Sequence, residues 1–375
     1  MTWSKAAQDY RLCGPCLERQ RVEKADGPTA GEGETCYICE GLMDRVNSTA
    51  EEAARCVKRY EFRSFSVGVS MPEGVQERED EFRANLKLKG RETIRSQAAR
   101  LIAAGVASRV RRKVDRARPD LTVVADMASG RIAVSSRPLF FYGRYSKPPG
   151  VSQKQGLCRE CVGRGCEKCR MTGFEPGPSV EEQLRKRLTR ACESERMKFT
   201  WLGSEDKESR VYPPGRPFVV ELKNPVTRKV PRKFRMRTGG GLVEVTRGRI
   251  LPSKPFGLPS FRFRTLISAT SAKAVDTEDL SEIRRRFRRA TVRFERPHER
   301  PVLKMVYLAR ARKRGRKLMI EAVLDGGLPV KRFVSGELVS PSVSEVLKTE
   351  VRCRTFDIRE VKETGEFGFA KVTRV

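Results

Sequence analysis

Eight of the eleven cysteines in this 375-residue chain fall into two quartets. Cys13, Cys16, Cys36 and Cys39 read C-x2-C, a 19-residue spacer, then C-x2-C. Cys158, Cys161, Cys166 and Cys169 read C-x2-C-x4-C-x2-C. A C-x2-C turn presents two sulfurs to one point, and two such turns make a closed tetrahedral thiolate site for zinc. Four protein ligands leave no open position, so one or two structural zinc ions are expected rather than a catalytic one. The first spacer, ADGPTAGEGE, has the composition of a loop that would be hard to order without the metal. In the second quartet Gly163 and Gly165 permit the tight turns that gather the sulfurs.

The same cysteines would read as disulfides in a secreted protein. The opening MTWSKAAQDYRLCGPC, however, lacks the apolar stretch of a secretory signal. No run approaches the roughly 18 apolar residues of a membrane span. The expectation is a soluble, cytoplasmic protein with no membrane partner, where paired C-x2-C spacing means metal.

Charge narrows the partner. The chain carries 78 Lys+Arg against 47 Asp+Glu, a net +31, with an isoelectric point near 10.2. Such a surface attracts a polyanion. Within it, WLGSEDKESRVYPPGRPFVVELKNP (Trp201 to Pro225) places Glu205, Asp206 and Glu208 together. Carboxylates repel phosphates, so the cluster serves either an internal salt-bridge patch or chemistry on the bound nucleic acid. The single histidine, His298 in RPHERP, has no catalytic setting. A Ser-His-Asp triad, an H-E-x-x-H site and the zinc deaminase signature are thereby excluded. The absence of G-x4-G-K-[ST] argues against nucleotide hydrolysis. Acid and base work falls to carboxylates, lysine, tyrosine or water.

Two to three domains are expected from the length. Residues 1–45 hold the first quartet. Residues 46–150 read as a compact α/β unit. In it TAEEAARCVKRY is a helix capped by Thr49 that packs Cys56, EFRSFSVGVSM a strand, and the following segment a long helix broken near Gly90. LFFYGRYSK is its exit segment, and Arg109–Arg118 is a solvated helix face or part of an RNA track. Residues 151–175 hold the second quartet. Residues 176–375 form the largest unit, an α+β domain with a mostly antiparallel sheet. EEQLRKRLTRACESE is its amphipathic helix. VTRKVPRKFRMRTGGG reads as a mobile basic loop, and IRRRFRRATVRF is a second basic piece.

Over most of its length the chain resembles the archaeal/eukaryotic tRNA pseudouridine-54/55 synthase family. The likeness rests on the paired C-x2-C module, CRECVGRGCEKCRMTG, GSED, GRPF with ELKNP, and GGLPVKRFVSGE…SPSVSE, in that order. It implies an α+β multidomain architecture: an N-terminal zinc module, a THUMP-like α/β RNA-binding domain and a C-terminal pseudouridine-synthase fold. It further implies isomerisation of uridine 55, and also of uridine 54, in the TΨC arm of tRNA by a monomer with no organic cofactor. Carried over residue by residue, Asp206 in Gly203-Ser204-Glu205-Asp206 is the catalytic carboxylate. Phe263 stands at the position of a tyrosine that stacks on the target uracil, and Pro329 replaces another aromatic contact. Ser204 replaces an arginine for which Arg210 compensates, and Lys331 contacts a phosphate or the catalytic carboxylate. The alternative in another class is a non-catalytic zinc-containing tRNA-binding protein or RNA chaperone derived from that enzyme; a zinc-ribbon DNA-binding factor is a third reading.

Overall fold

In the computed structural model the described residues are 10–21, 34–88, 92–175, 177–295, 297–315 and 317–369. They divide into two compact units: Met1–Pro138 with Lys223–Arg228, and Leu139–Leu222 with Lys229–Val375. The first spacer, apart from Glu34, and the helix break at Gly90 lie outside the described residues.

The first unit runs α1 (Gly14–Gln20), α2 (Val46–Val57), β1 (Ser64–Ser70), α3 (Val75–Asn85), α4 (Ile94–Val110), β2 (Lys113–Val114), β3 (Leu121–Asp126) and β4 (Ile132–Ser136). Its sheet has the order β2-β1-β3-β4, with β1 parallel to both neighbours and β3 antiparallel to β4. The helices cover the face from which Phe65 and Val69 (β1) and Leu121, Val123 and Ala125 (β3) are buried. Helix α4 presents Ile94, Ala98, Ile102 and Val106 at a four-residue repeat, all at most 1% exposed. Thr93 caps it by accepting from Ser96 N at 3.2 Å. Gly105 lets α4 approach α2 closely, since a Cβ there would lie 2.8 Å from that of Ala50. Helix α2 itself starts three residues before the cap expected at Thr49, which instead donates its hydroxyl to Arg45 O at 2.7 Å. Cys56 is only half-buried, its thiol directed at Glu52 rather than into the core. The basic run from Arg109 spans the end of α4 and strand β2, and its arginines are mostly exposed.

A fully buried ion pair ties α1 to the rest of this unit. Arg19 Nε donates to Glu79 Oε1 at 2.6 Å, both side chains being 0% exposed. Arg19 Nη1 donates to Gln97 Oε1 at 2.7 Å, and Ile94 N donates to Glu79 Oε2 at 2.9 Å. Each buried charge is therefore both paired and hydrogen-bonded, as burial requires.

The second unit runs β5 (Leu139–Lys147), α5 (Val180–Cys192), β6 (Arg196–Trp201), β7 (Val211–Lys223), β8 (Phe234–Thr238), β9 (Gly241–Leu251), β10 (Pro255–Gly257), β11 (Phe261–Ser271), α6 (Thr277–Arg286), β12 (Ala290–Phe294), β13 (Val302–Arg314), β14 (Lys317–Asp325), α7 (Val330–Ser335), β15 (Val339–Ser340), α8 (Val343–Val346), β16 (Val351–Glu363) and β17 (Gly368–Phe369). The large sheet is ordered β15-β12-β13-β14-β11-β16-β7-β5-β9-β8, with β6 paired to β7; β10 pairs with β17 separately.

Three expectations are corrected here. The sheet is mixed rather than mostly antiparallel, because β16 runs parallel to β7 through Ile358 and Val211. Two antiparallel blocks meet at that junction. The exit segment LFFYGRYSK is β5, held between β7 and β9 inside this sheet, so the boundary falls at residue 138 and not at 150. A strand pattern states that a segment pairs, not with whom. The basic stretch before the three glycines is not a loop throughout: Phe234 and Met236 alternate inward on β8, which pairs with β9. The second basic piece ends α6 and forms β12, with Phe287 and Val292 buried between its arginines.

Strand β7 explains its own central place. Phe218, Val220 and Leu222 face the main core while Val219 packs with Tyr142 and Leu251 on the opposite face. A strand apolar on both sides belongs in the interior of a covered sheet. Helix α5 buries Val180, Leu184, Leu188 and Cys192 on one stripe, and Ser179 caps it by accepting from Glu182 N at 3.1 Å.

Candidate active site and metal centres

Asp206 lies in the turn joining β6 to β7, where the second unit's two antiparallel blocks meet. The turn begins at Gly203, with φ +86°. A Cβ there would lie 2.1 Å from Arg216 Nη2 and 3.2 Å from Phe261 Cζ, so both the backbone conformation and the space demand glycine.

Buried side chains grip the turn from below. Arg216, 2% exposed, donates from Nε to Leu202 O at 3.1 Å, and from Nη1 to Ser204 O at 3.0 Å and Glu205 Oε2 at 3.1 Å. Lys147, also 2% exposed, donates from Nζ to the carbonyl oxygens of Asp206 (3.1 Å), Lys207 (3.2 Å) and Ser209 (2.6 Å). Tyr145 donates its hydroxyl to Glu205 Oε1 at 2.6 Å and accepts from Gln153 Nε2 at 2.7 Å. Gln153 Nε2 also reaches Gly203 O at 3.1 Å. Burial lowers the Lys147 pKa, while Glu205, Glu208, Asp206 and Asp357 pull it back up. Burial, reinforced by Glu205, raises the Tyr145 pKa well above its ordinary value, so the phenol remains a donor.

Both readings of the acidic cluster are thus realised in neighbouring residues. The Glu205 side chain is 0% exposed and locked to Arg216 and Tyr145. Asp206 points outward, with Oδ2 2.9 Å from Lys331 Nζ. Its side chain is 40% exposed and that of Lys331 56%, which leaves the pair open to a large substrate. Lys331 stands in the first turn of α7, which follows the Gly326-Gly327-Leu328 turn after β14 and packs on β16. Burial pushes the Cys353 thiol on β16 up to about 11; Asp206 adds to the shift and Lys331 opposes it. That thiol stays protonated at neutral pH and is no competing nucleophile.

The remaining expected site residues fall in three settings. Pro329 occupies the N-cap position of α7 (φ −71°), so it starts the helix that carries Lys331. Phe263 on β11 is 3% exposed and belongs to the core, with the Arg216 guanidinium 5.8 Å from its ring centre. The half-buried ring beside the turn is Phe261, which packs where Gly203 and Gly326 lack side chains. Arg210 is exposed: its guanidinium lies 5.6 Å from the Tyr212 ring centre, its backbone N donates to Asp357 Oδ1, and it forms no ion pair with Asp206. Sequence reasoning named neither Arg216, Lys147, Tyr145 nor Gln153, although Arg216 lies inside the GRPF motif.

Both cysteine quartets are able to hold a metal ion. In each, the four sulfurs lie within 4.8 Å of one another. A tetrahedron with Zn–S bonds of about 2.3 Å has S–S edges of about 3.8 Å. Cys13–Cys39 measures 3.6 Å, Cys158–Cys166 and Cys161–Cys169 3.8 Å, and Cys166–Cys169 3.7 Å. Amide donors complete the second site: Gly165 N to Cys161 Sγ, and Cys166 N and Gly173 N to Cys169 Sγ, each 3.2 Å. Gly163 (φ +90°) and Gly165 (φ +93°) make the turns their positions implied. At the first site Arg19 Nη2 donates to Cys16 Sγ at 3.4 Å. These donors favour thiolates, which is what a bound cation needs.

Comparison with known proteins agrees with this layout. Residues 49–126 match the family model described as the archaeal Pus10 THUMP domain, and residues 140–242 match the Pus10 C-terminal model. The second match begins beside the boundary at residue 138. A tRNA pseudouridine synthase Pus10 from Cenarchaeum symbiosum is 32% identical over 369 residues, spanning 94% of this chain and 90% of its own. The Nitrosopumilus maritimus protein of that name is 27% identical, spanning 94% and 95%. That of Methanopyrus kandleri is 30% identical, spanning 93% and 86%. A solved Cbf5-Nop10-Gar1 complex overlaps 59% of this chain and 48% of its own at a TM-score of 0.33 and 10% identity, too weakly to inform the fold. With conserved order, near-complete coverage and both domains matched, this chain belongs to the Pus10 family of tRNA pseudouridine synthases.

Proposed function

We propose that this protein isomerises uridine 55 in the TΨC loop of tRNA to pseudouridine, with uridine 54 as a second target, and that Asp206 is the catalytic carboxylate. The observation that carries the reading is the Asp206–Lys331 contact, 2.9 Å long and open to solvent, on a turn held by buried Lys147 and Arg216. A flipped uridine brings its C1′ and C2′ to Asp206, which acts there as nucleophile or base. The N1–C1′ bond breaks, the base rotates, and a C5–C1′ bond forms; the hydrogen lost from C5 is replaced by one on N1. Atoms balance without a nucleotide or an organic cofactor. Lys331, 2.9 Å away, orients the carboxylate and gives it a cationic partner among RNA phosphates. Phe261 offers a ring beside the turn, while Phe263 supports Arg216 from the core. Each cysteine quartet serves as a structural zinc site.

The test is pseudouridine mapping on an unmodified tRNA transcript by chemical labelling and primer extension. A stop reporting position 55, alone or with 54, supports the reading. Tight tRNA binding with no pseudouridine in any position would favour a binding protein derived from the enzyme.

The turn itself makes a second expectation. Gly203→Ala should lower the single-turnover rate about 100-fold, because displacing a reacting group by about 1 Å costs that much. The left-handed backbone costs about 1–3 kcal/mol, and displacing the Arg216 guanidinium from the 2.1 Å contact adds to it. Rate and thermal melt are measured on the same preparation; a normal rate would show that the turn need not hold this geometry.

A further inference from the structure

Beyond the Asp206 site, the second unit carries a trough of about 330 Å³ between α5 and β8. Lys186, Arg187 and Arg190 line it from α5, and Arg235 and Arg237 from β8; no carboxylate lines it. Positions 186 and 190 are one helical turn apart, and 235 and 237 share one strand face, so two basic ridges border one groove. All five residues are exposed. Lys186 is paired with Glu182 at 2.6 Å and Arg235 with Glu244 at 3.2 Å, but Arg190 and Arg237 have no ion-pair partner among the described residues. Unpaired like charges across a groove repel one another unless an anion sits between them.

The trough does not end there. Gln183 also lines an adjoining cavity of about 560 Å³, bordered by Arg170 and by Lys168 (itself paired with Glu160) of the second cysteine module, by the carboxylates Glu175 and Glu182, and by Gly239 at the β8–β9 turn. Arg170 has no ion-pair partner among the described residues and follows the ligand Cys169 directly, at φ +52°. The metal site therefore fixes the backbone from which this cation projects.

We propose that the basic trough between α5 and β8 seats a phosphodiester strand of tRNA, and that the second cysteine module holds Arg170 beside its Gln183 end. It is a docking surface that shares no residue with the Asp206–Lys331 pair. Spaced guanidinium groups without base-reading partners recognise a backbone, not a sequence. The inference rests on tRNA being the substrate, but not on Asp206 being catalytic.

The experiment measures fluorescence anisotropy of an unmodified tRNA transcript from 50 to 300 mM salt. It compares wild type, Arg190→Gln/Arg237→Gln, and a charge-matched control, Arg312→Gln/Lys313→Gln on the β13–β14 hairpin. The trough variant is expected to bind roughly 10–30-fold more weakly near physiological salt. Its log Kd against log salt slope should fall by about 1.5–2, one phosphate contact per arginine. Its single-turnover rate at saturating tRNA should match wild type, and the control should lose little affinity. Unchanged affinity and slope in the trough variant would overturn the proposal, and so would an equal loss in the control, since that reports bulk charge alone. If wild type forms no pseudouridine yet the trough variant loses tRNA affinity selectively, the docking surface stands and only the catalytic reading falls.

Discussion

Asp206→Asn is expected to cut pseudouridine formation by about 1,000-fold or more while tRNA affinity stays within a few-fold of wild type. The substitution keeps the side chain's shape. The grip on the turn is untouched, since Lys147, Arg216 and Gln153 hold backbone carbonyls and Glu205, not the Asp206 carboxylate. What disappears is the charge facing Lys331. Lys331→Met should cost about 100-fold, as loss of one preorganised cation does, and Lys331→Arg should restore part of it. Single-turnover labelling on one tRNA transcript reads all three. Wild-type rates in Asp206→Asn would remove Asp206 from the chemistry. Equal losses of binding and rate would mean that the turn shapes the docking surface instead.

The largest stability effect should come from the first metal site. Structural zinc contributes about 10–16 kcal/mol in small zinc-binding peptides, comparable with the 5–15 kcal/mol total of an ordinary domain. Cys36→Ser, or strong chelation, is therefore expected to unfold α1 and its neighbouring turn. The damage should spread. Arg19 touches Cys16 Sγ and also carries the 0%-exposed pair with Glu79 of α3 and the bond to Gln97 of α4. Glu79 keeps Arg83 at 3.2 Å, so losing Arg19 should cost less than the about 3–5 kcal/mol of a fully unpaired buried carboxylate. Loss of Cys161 should be milder, because the second quartet forms its own small cluster apart from the main core. Metal analysis should give two zinc per chain in wild type and one in either variant. Circular dichroism melts should show a large early transition only for Cys36→Ser. A metal-free protein that melts like wild type would refute the structural role of both sites.

The residues legible in the sequence are those whose chemistry is local. Two C-x2-C turns place four sulfurs by spacing alone, and the structure gathers both quartets as expected. Gly163 and Gly165 follow from the same turns. The α5 stripe follows from apolar periodicity. Asp206 was visible in the acidic cluster, but its choice over Glu205 and Glu208, and the place of Lys331, came only through the likeness of GSED and GGLPVK to a family. Nothing in the bare sequence brings residues 206 and 331 within 2.9 Å.

The supporting cradle was hidden for a physical reason. Lys147 and Arg216 are two among 78 basic residues, and a buried cation bonded to carbonyls has the same one-letter code as a solvated one. Glu205 and Asp206 are neighbours in one acidic cluster, yet one is a buried counterion and the other faces solvent. Partner choice was equally silent: β5 reads as a strand wherever it pairs, and the parallel β7–β16 contact joins segments far apart in the chain. By itself the sequence determined the two thiol quartets, the cationic surface and most local elements, because spacing, charge and periodicity are short-range properties. Tertiary structure alone decided which sheet β5 enters, which cations are buried, and that Asp206 meets Lys331, because desolvation and long-range register arise only when distant segments pack.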